Sequence, residues 1–300
     1  MEFAIATHYD ADHIGGLDEV FEGGWYPTTA VLDRGNSFLP PLDRDHVQGT
    51  GGLDPDEVAA LVPWGTPSAS CPGSRWASCE IIEYFMAAEA GGRRRDIRPG
   101  ELLSFDHGLE AVVVNAQDAD GNTVNVHFPG RRDDCASNDL GVAVLVRYGD
   151  FRYLVAGDLT GEPGEGVADV EELLIAEVVD LDVYHVNHHG SETSSSVDFM
   201  AATRPTVAIV SNGRMHNHPW RSVVEGRIFS VSPRPALYLT NRNDSPGAWS
   251  DDPDAIADDD FVDYDGMIEL AVWRRSYRVF RWRNGARLDS GTRFFIKPRQ

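Results

Sequence analysis

The chain has 300 residues, of which 42% are hydrophobic and 25% are charged, and its formal net charge is −22 at pH 7. This length and composition are typical of a globular protein with a substantial core, and no apolar run approaches the roughly 20 residues of a membrane-spanning helix. So acidic a surface repels phosphate backbones unless basic residues are gathered locally or metal ions supply positive charge, so we expect no extended nucleic-acid binding.

The first residues and the cysteines exclude further classes of protein. The first residues lack the basic and apolar segments of a secretory signal, so we expect a soluble, cytoplasmic protein without membrane partners. Three cysteines, Cys71, Cys79 and Cys135, form no C-x-x-C pair and indicate reduced thiols, not a disulfide framework or a zinc knuckle. Without an internal repeat or a linker, residues 1–300 are expected to form one domain.

The predicted elements of the first third surround a loop. EFAIA predicts a strand that ends at Thr7, so that His8 begins a loop, and IGGLDEVFEGG predicts a helix behind it. Residues 34–76 are rich in Gly, Pro and Ser and are expected to form a loop-rich insertion over a site. Within it, LDPDEVAALV predicts one helix, with Asp54 as N-cap and Pro55 in the first helical position.

The remaining elements are first strands and then strands and helices in alternation. SCEIIEYFMAAEAGG predicts a helix, and ELLSF, LEAVVVNA, NTVNVHF, GVAVLVRYG and FRYLVAG predict strands. Helices in ADVEELLIAEVVD and SVDFMAATRP alternate with strands in LDVYHVN and TVAIVSNG, which favours helices packed outside a sheet. An acidic loop, without the spacing of an EF-hand, is expected at about residues 244–265, and closing strands in GMIELAVW, YRVFRWR and TRFFIKP.

Side chains that can bind metals recur where predicted strands begin or end. They are His8, Asp10, Asp12 and His13 in THYDADHIGG, Asn138 in CASNDLG, Asp158 in VAGDLTG, His188 and His189 in NHHGSETSSS, and His216 and His218 in NGRMHNHPW. Oxygen and imidazole ligands without thiolates suit Zn²⁺, Mn²⁺ or Fe²⁺. Because two adjacent ions need about this many ligands, we predict a site for two divalent metal ions. Zn or Mn is preferred over Fe.

The motifs resemble those of a known superfamily. THYDADHIGG resembles the metallo-β-lactamase signature H-x-H-x-D-H in the variant H-x-D-x-D-H-x-G-G. Together with SNDLGVAVLVRYGDFRYLVAGDLTG, VNHHGSETSSS and NHP, it is similar to the hydrolase domain of the ComEC/Rec2 competence proteins and their soluble relatives. The resemblance extends, with gaps, from residue 2 to about residue 240.

This resemblance implies an α+β fold, a four-layer αββα sandwich with metals at one edge. In the family several strands precede the first motif, whereas only seven residues precede His8 here. We therefore expect a sandwich that lacks its first N-terminal strands and that either is unstable or pairs its open sheet edge with another chain as an oligomer. The resemblance also implies that His8 and Asp10 hold one ion, that Asp12 and His13 hold the second, and that Asp158 bridges the two.

The remaining motif residues have implied roles as well. One histidine of the HHGS motif completes the second site, and we favour His188 over His189. Asn138 stands where the broader superfamily has a histidine, as in the ComEC-like branch, so the first metal is expected to be held more weakly. His218 would lie over the site as a ligand, phosphate contact or proton donor, and Ser191 would contact a phosphate oxygen.

The implied function is a dinuclear metal-dependent hydrolase. Its substrate would be a small or nucleotide-like phosphodiester attacked by a metal-bound hydroxide, with Asp12, Asn138, Ser191 and His218 as the catalytic candidates. Two alternatives stay open. The same site could open a lactone, thioester or amide, since one fold hosts many reactions, or the chain could be a truncated, non-catalytic relative that acts as a binding module.

Overall fold

The structure is a computed structural model that describes residues 1–34, 75–115, 138, 141–161, 169–213, 216–258 and 266–299. The chain divides into two compact units, Met1–Glu101 with Asn115–Val142 and Leu102–Val114 with Ala143–Gln300. Both units combine helices with sheets, which confirms the expected α+β class. The single domain, the oligomer and the cytoplasmic location stay predictions.

The first unit contains a small parallel sheet, in the order β1-β2-β3, with helices in its connections. Its elements are β1 Phe3–Ile5, α1 Ala11–Ile14, α2 Leu17–Val20, a π-helical turn Phe21–Trp25, β2 Ala30–Asp33, α3 Arg75–Ala90 and β3 Arg94–Asp96. Parallel neighbours need crossover connections, and α1, α2 and α3 lie in them. The core is built from Tyr9, Ile14, Phe21, Tyr84 and Phe85, all buried.

The second unit is organised by an eight-stranded sheet in the order β11-β10-β9-β8-β7-β6-β5-β4. The strands are β4 Leu102–Ser104, β5 Leu109–Asn115, β6 Ala143–Tyr148, β7 Phe151–Val155, β8 Val183–His185, β9 Val207–Val210, β10 Ala236–Asn241 and β11 Ile256–Asp258. Strands β7 to β11 pair in parallel, so the carboxyl ends of neighbouring strands meet at one edge of the sheet.

A helical layer and a second sheet cover the two faces of this sheet. The helices are α4 Glu171–Leu174, α5 Val197–Thr203 and α6 Arg221–Gly226, and the second sheet contains β12 Met267–Trp273, β13 Ser276–Arg283, β14 Ala286–Arg287 and β15 Thr292–Phe295. Because side chains of a strand alternate between faces, Tyr184 of β8 packs against Phe199 of α5, while Val183 packs in a cluster with Tyr277 of β13.

Three local predictions differ from the structure. The short strands β2 and β3 were not predicted, since AVLD and RRD are too brief to show a period. The helix expected in ADVEELLIAEVVD ends at Leu174, and Asp180 adopts a left-handed conformation, with φ of 55°, that leads into β8. The acidic loop contains β11, because the apolar residues of DAIAD form a buried edge strand beside β10.

Several predictions lie outside the described residues. They are the helix in LDPDEVAALV with most of the insertion at 34–76, the strand NTVNVHF, and the environments of Cys71, Cys79 and Cys135. Within the described ranges, no helix has the length and apolar character to cross a bilayer.

Candidate metal centre

In the first unit, the loop after β1 brings four potential ligands together: His8, Asp10, Asp12 and His13, here called the His8 group. Nε2 of His8 lies 3.7 Å from Oδ2 of Asp10, and Nε2 of His13 lies 3.8 Å from Oδ2 of Asp12. The two imidazole rings are 4.0 Å apart between centroids. Helix α1 begins at Ala11, so a single turn carries both imidazole-carboxylate pairs.

Backbone and side-chain contacts hold this loop in place. His8 is fully buried, and its Nδ1 lies 3.2 Å from the Thr7 hydroxyl, which leaves Nε2 directed at Asp10. The amide of Val142 donates to the Thr7 carbonyl at 2.7 Å, and the amide of Gly141 donates to the carbonyl of Asn138. The Asn138 turn is thus tied to the end of β1, just before His8, and the catalytic role of Asn138 stays a prediction.

A buried charged network, which no sequence motif indicated, supports the same unit. Asp33 accepts hydrogen bonds from the Tyr84 hydroxyl at 2.7 Å and from Arg94 at 2.7 and 3.1 Å. The guanidinium of Arg34 lies 4.6 Å above the Tyr9 ring, and burial, followed by the charge of Asp33, raises the pKa of Tyr9. Tyr9 therefore stays neutral and packs as a core residue between His8 and Asp10.

In the second unit, the ends of β7 and β8 bring Asp158, His188 and His189 together; with His218 they form what is here called the Asp158 group. Nε2 of His188 lies 3.6 Å from Oδ2 of Asp158, and Nε2 of His189 lies 3.5 Å from Oδ1. Two ligands about 2.1 Å from one tetrahedral zinc ion lie about 3.4 Å apart. These separations fit a metal between each imidazole and the carboxylate.

Hydrogen bonds on the far side of each ring orient both histidines. Nδ1 of His189 donates to the carbonyl oxygen of Ser211 at 2.7 Å, since a carbonyl can only accept. Nδ1 of His188 lies 2.8 Å from the hydroxyl of Thr193, which in turn donates to Oγ of Ser191. Both Nε2 lone pairs are therefore directed toward Asp158, as in metal sites whose ligands are oriented by outer partners.

This arrangement bears on the choice between the two histidines and on Ser191. The structure brings His188 and His189 equally close to Asp158, so it does not separate them. Ser191 is buried, and its oxygen accepts from Thr193. Its position is beside the outer partner of His188, and its role as a phosphate contact stays a prediction.

His218 completes the Asp158 group. Its ring centroid is 5.8 Å from that of His188 and 6.1 Å from that of His189, and Nδ1 is buried without a hydrogen-bond partner among the described residues. Burial, followed by the nearby rings of His188 and His189, lowers the pKa of His218 to about 4. At pH 7 the ring is therefore neutral, the form in which imidazole binds metals.

Two close approaches fasten the histidine loops to each other. A Cβ on Gly190, whose φ is 77°, would lie 2.6 Å from Cβ of Pro219, so only glycine fits there. The amide of Trp220 donates to the Gly190 carbonyl at 2.9 Å. The buried side chain of Asn243 donates to the carbonyls of His216 and His218, which fixes the loop that carries them.

Glu171 is a buried carboxylate beneath the His188 turn, and the sequence contained no signal for it. It accepts from the amides of Ser195 and Ser196, each at 2.7 Å, and from the side chain of Asn187 at 2.8 Å. Burial raises the pKa of Glu171 to about 7, while these three donors oppose the rise. The helix predicted in ADVEELLIAEVVD did not indicate that this carboxylate is buried.

Comparisons with solved structures give matches of low sequence identity. The chain is similar to Zn²⁺-bound PqqB from Methylobacterium extorquens, with 13% identity, 69% of this chain and 60% of that chain covered, and a TM-score of 0.34. It is also similar to a diphosphatase from the PhnP family, with 12% identity, coverage of 70% and 59%, and a TM-score of 0.32.

Sequence comparisons give two short matches to curated proteins. No family model matches the chain. Recombination protein 2 of Haemophilus influenzae is 35% identical over 86 residues, which are 29% of this chain and 10% of that protein. ComE operon protein 3 of Bacillus subtilis is 28% identical over 103 residues, 34% of this chain and 13% of that protein, so the matches span about a tenth of each relative. These matches confirm the resemblance to the ComEC/Rec2 proteins that the motifs indicated.

Proposed function

We propose that the protein is a metal-dependent hydrolase whose ligands for two divalent ions come from the His8 group and the Asp158 group. The observation that carries the proposal is the Asp158 group, in which two oriented Nε2 atoms face the two oxygens of one buried carboxylate at 3.5 and 3.6 Å. Imidazole and carboxylate ligands oriented by outer hydrogen bonds are a set that suits a divalent metal ion. The His8 group is included because the metal-binding motifs of the chain occur in the same order as in the ComEC/Rec2 hydrolase domains that they resemble.

The geometry of Asp158 supports a bridging role. Oδ1 faces His189 and Oδ2 faces His188, so each oxygen has its own imidazole neighbour. A carboxylate that uses its two oxygens separately can serve two ions, whereas a chelating carboxylate serves one. We therefore propose that Asp158 would contact both ions and that His188 and His189 would both serve as ligands.

The groups around the proposed ions have distinct tasks. When bound, the ions supply an activated water as nucleophile and stabilise negative charge that develops on the substrate. Thr193 and the Ser211 carbonyl hold the imidazoles of His188 and His189 in the ligating tautomer. The neutral ring of His218 accepts or donates one hydrogen bond at the substrate. The carboxylate of Asp12 is exposed, so solvent can reach it.

For the substrate we propose a phosphodiester in a nucleotide or nucleic-acid-like molecule. The support is the motif order, which resembles that of ComEC/Rec2 hydrolase domains. Zn or Mn is the proposed metal, with Fe as the alternative, since all ligands are oxygen or imidazole nitrogen.

The metal is tested first, by elemental analysis of protein purified without added metal. We expect about two equivalents per chain in the parent, a loss in Asp158→Ala, and no change in the control Asp150→Ala, whose side chain lies in the exposed β6–β7 turn. A folded parent that holds no metal and takes up none when offered Zn²⁺ or Mn²⁺ would refute the hydrolase and favour a binding module.

The reaction is tested next, with a panel of phosphodiesters, lactones, thioesters and amides. Metal-dependent turnover of phosphodiesters that disappears in Asp158→Ala is the expected result. Turnover of lactones, thioesters or amides alone would keep the metal centre and overturn the phosphodiester assignment.

A further inference from the structure

Basic residues are concentrated in the C-terminal sheet of this acidic protein. Residues 266–300 contain nine arginines and lysines and two acidic residues, whereas the whole chain has 26 and 48. The sheet formed by β12 to β15 therefore reverses the charge of the rest of the chain. Local gathering of this kind permits contact with a polyanion despite the overall charge.

One face of this sheet is covered and the other is open. Tyr277, Val279, Ile268, Leu270 and Phe294 pack toward the eight-stranded sheet. Because strand side chains alternate, the neighbouring positions lie on the opposite face. This outer face is defined by Trp273, Arg278, Phe280, Arg287, Arg293 and Phe295.

The outer face combines aromatic rings with guanidinium groups around a concavity. The concavity has a volume of about 530 Å³, and Trp273, Phe280, Arg278, Arg287 and Arg293 are among its lining residues. Trp273 is 51% exposed, and Phe295, which lies on the other side of Ser276 in the strand register, is 70% exposed. Both rings are therefore open to contact with a ligand from solvent.

Two of the arginines are placed against each other. Arg278 of β13 lies directly opposite Arg293 of β15 in the antiparallel register, and like charges in this position are destabilising. Both donate hydrogen bonds to neutral groups, Arg278 to the carbonyl of Ser290 and Arg293 to the hydroxyl of Ser276. Among the described residues, neither forms an ion pair with a carboxylate. A bound anion would relieve this repulsion.

The two acidic groups described on the same face, Glu269 and Asp289, are already neutralised. The carboxylate of Glu269 accepts hydrogen bonds from Arg287, at 2.7 Å, and from the indole nitrogen of Trp282. Asp289 pairs with Arg281 at 3.0 Å. The positive charge of Arg278 and Arg293 is therefore left over, and the exposed Arg274 and Arg275 in the turn after Trp273 add to it.

We propose that this outer face binds single-stranded nucleic acid. Its exposed rings offer stacking surfaces for bases, and the opposed guanidiniums offer a site for backbone phosphate, the combination that binds single strands without sequence preference. An acidic peptide would use the arginines but not the exposed rings. The proposal replaces the expectation, drawn from net charge, of no extended nucleic-acid binding, and it does not depend on the hydrolase.

The test is fluorescence anisotropy with a labelled 15-nucleotide oligo(dT) and the full chain, in EDTA so that no turnover occurs. The double variant Arg278→Ala/Arg293→Ala should weaken binding by on the order of tenfold. The slope of the logarithm of the binding constant against the logarithm of salt concentration should become shallower by the equivalent of about one to two phosphate contacts. The matched control Arg221→Ala/Arg242→Ala, which removes the same charge elsewhere, should bind as the parent does. Trp273→Ala should weaken binding by on the order of tenfold through lost stacking.

Arg278→Glu separates a binding role from a structural one. It creates an ion pair opposite Arg293, so the melting temperature should equal or exceed that of the parent while oligonucleotide binding is lost. No binding by the parent at 50 mM salt, equal losses in both double variants, or equal competition by poly-glutamate would overturn the proposal. Dimer dissociation in Arg278→Glu without any oligonucleotide binding would overturn it too, and assign the face to a second copy. Turnover of a small phosphodiester by Arg278→Glu reports on the hydrolase separately.

Discussion

Removal of the Glu171 carboxylate should destabilise the turn that carries the proposed metal ligands, by an amount that depends on pH. In Glu171→Ala, the amides of Ser195 and Ser196 and the side chain of Asn187 lose their acceptor in a buried place. Each unsatisfied buried donor costs about 1 to 3 kcal/mol, so the three together cost roughly 5 kcal/mol. Removal of a desolvated carboxylate offsets part of this cost.

The pKa of Glu171 sets the size and the sign of that offset. Burial raises the pKa from 4.5 to about 7 in the folded protein. Between these two values the folded state holds a proton that the unfolded state has released, so stability falls as pH rises from about 4.5 through 7. From pH 5 to pH 8 the parent should lose about 2 to 3 kcal/mol from this group, and the variant should not.

We therefore expect Glu171→Ala to cost about 4 to 5 kcal/mol at pH 5 and about 2 kcal/mol at pH 8. Urea unfolding of the parent and the variant at both pH values measures the difference, and the exposed neighbour Glu172→Ala is the matched control. A cost below about 0.5 kcal/mol at both pH values would refute the hydrogen-bonding account. A large cost that does not change with pH would refute the raised pKa and leave the hydrogen bonds standing.

Two further changes test the support of the proposed metal ligands. Thr193→Val removes the hydrogen-bond partner of His188 Nδ1 and should lower metal affinity about 10-fold to 100-fold, with little change in folding. Competition with a chelator measures the affinity. An unchanged affinity would argue against His188 as a ligand. Gly161→Ala would place a methyl group 1.8 Å from Oε2 of Glu171, so it should cost about 2 kcal/mol or more in urea unfolding, and a variant as stable as the parent would show that Glu171 can move aside.

The ligand motifs and most strands could be predicted because they depend on neighbouring residues. Alternating apolar residues in GVAVLVRYG and FRYLVAG predict the β6–β7 hairpin, whose turn contains Gly149 with φ of 59°. THYDADHIGG places His8 and His13 within one turn, so their proximity follows from the local chain. In each case a few consecutive residues contain the whole signal.

The sequence by itself therefore determined the strand-end positions of the histidines and aspartates, and its family resemblance implied the α+β class. Only the tertiary structure decided that Glu171 accepts from Ser195 and Ser196, more than twenty residues away, and that Arg278 lies opposite Arg293. The physical reason is that burial and strand register arise from contacts between distant segments, and no local pattern of residue types records which segments will meet.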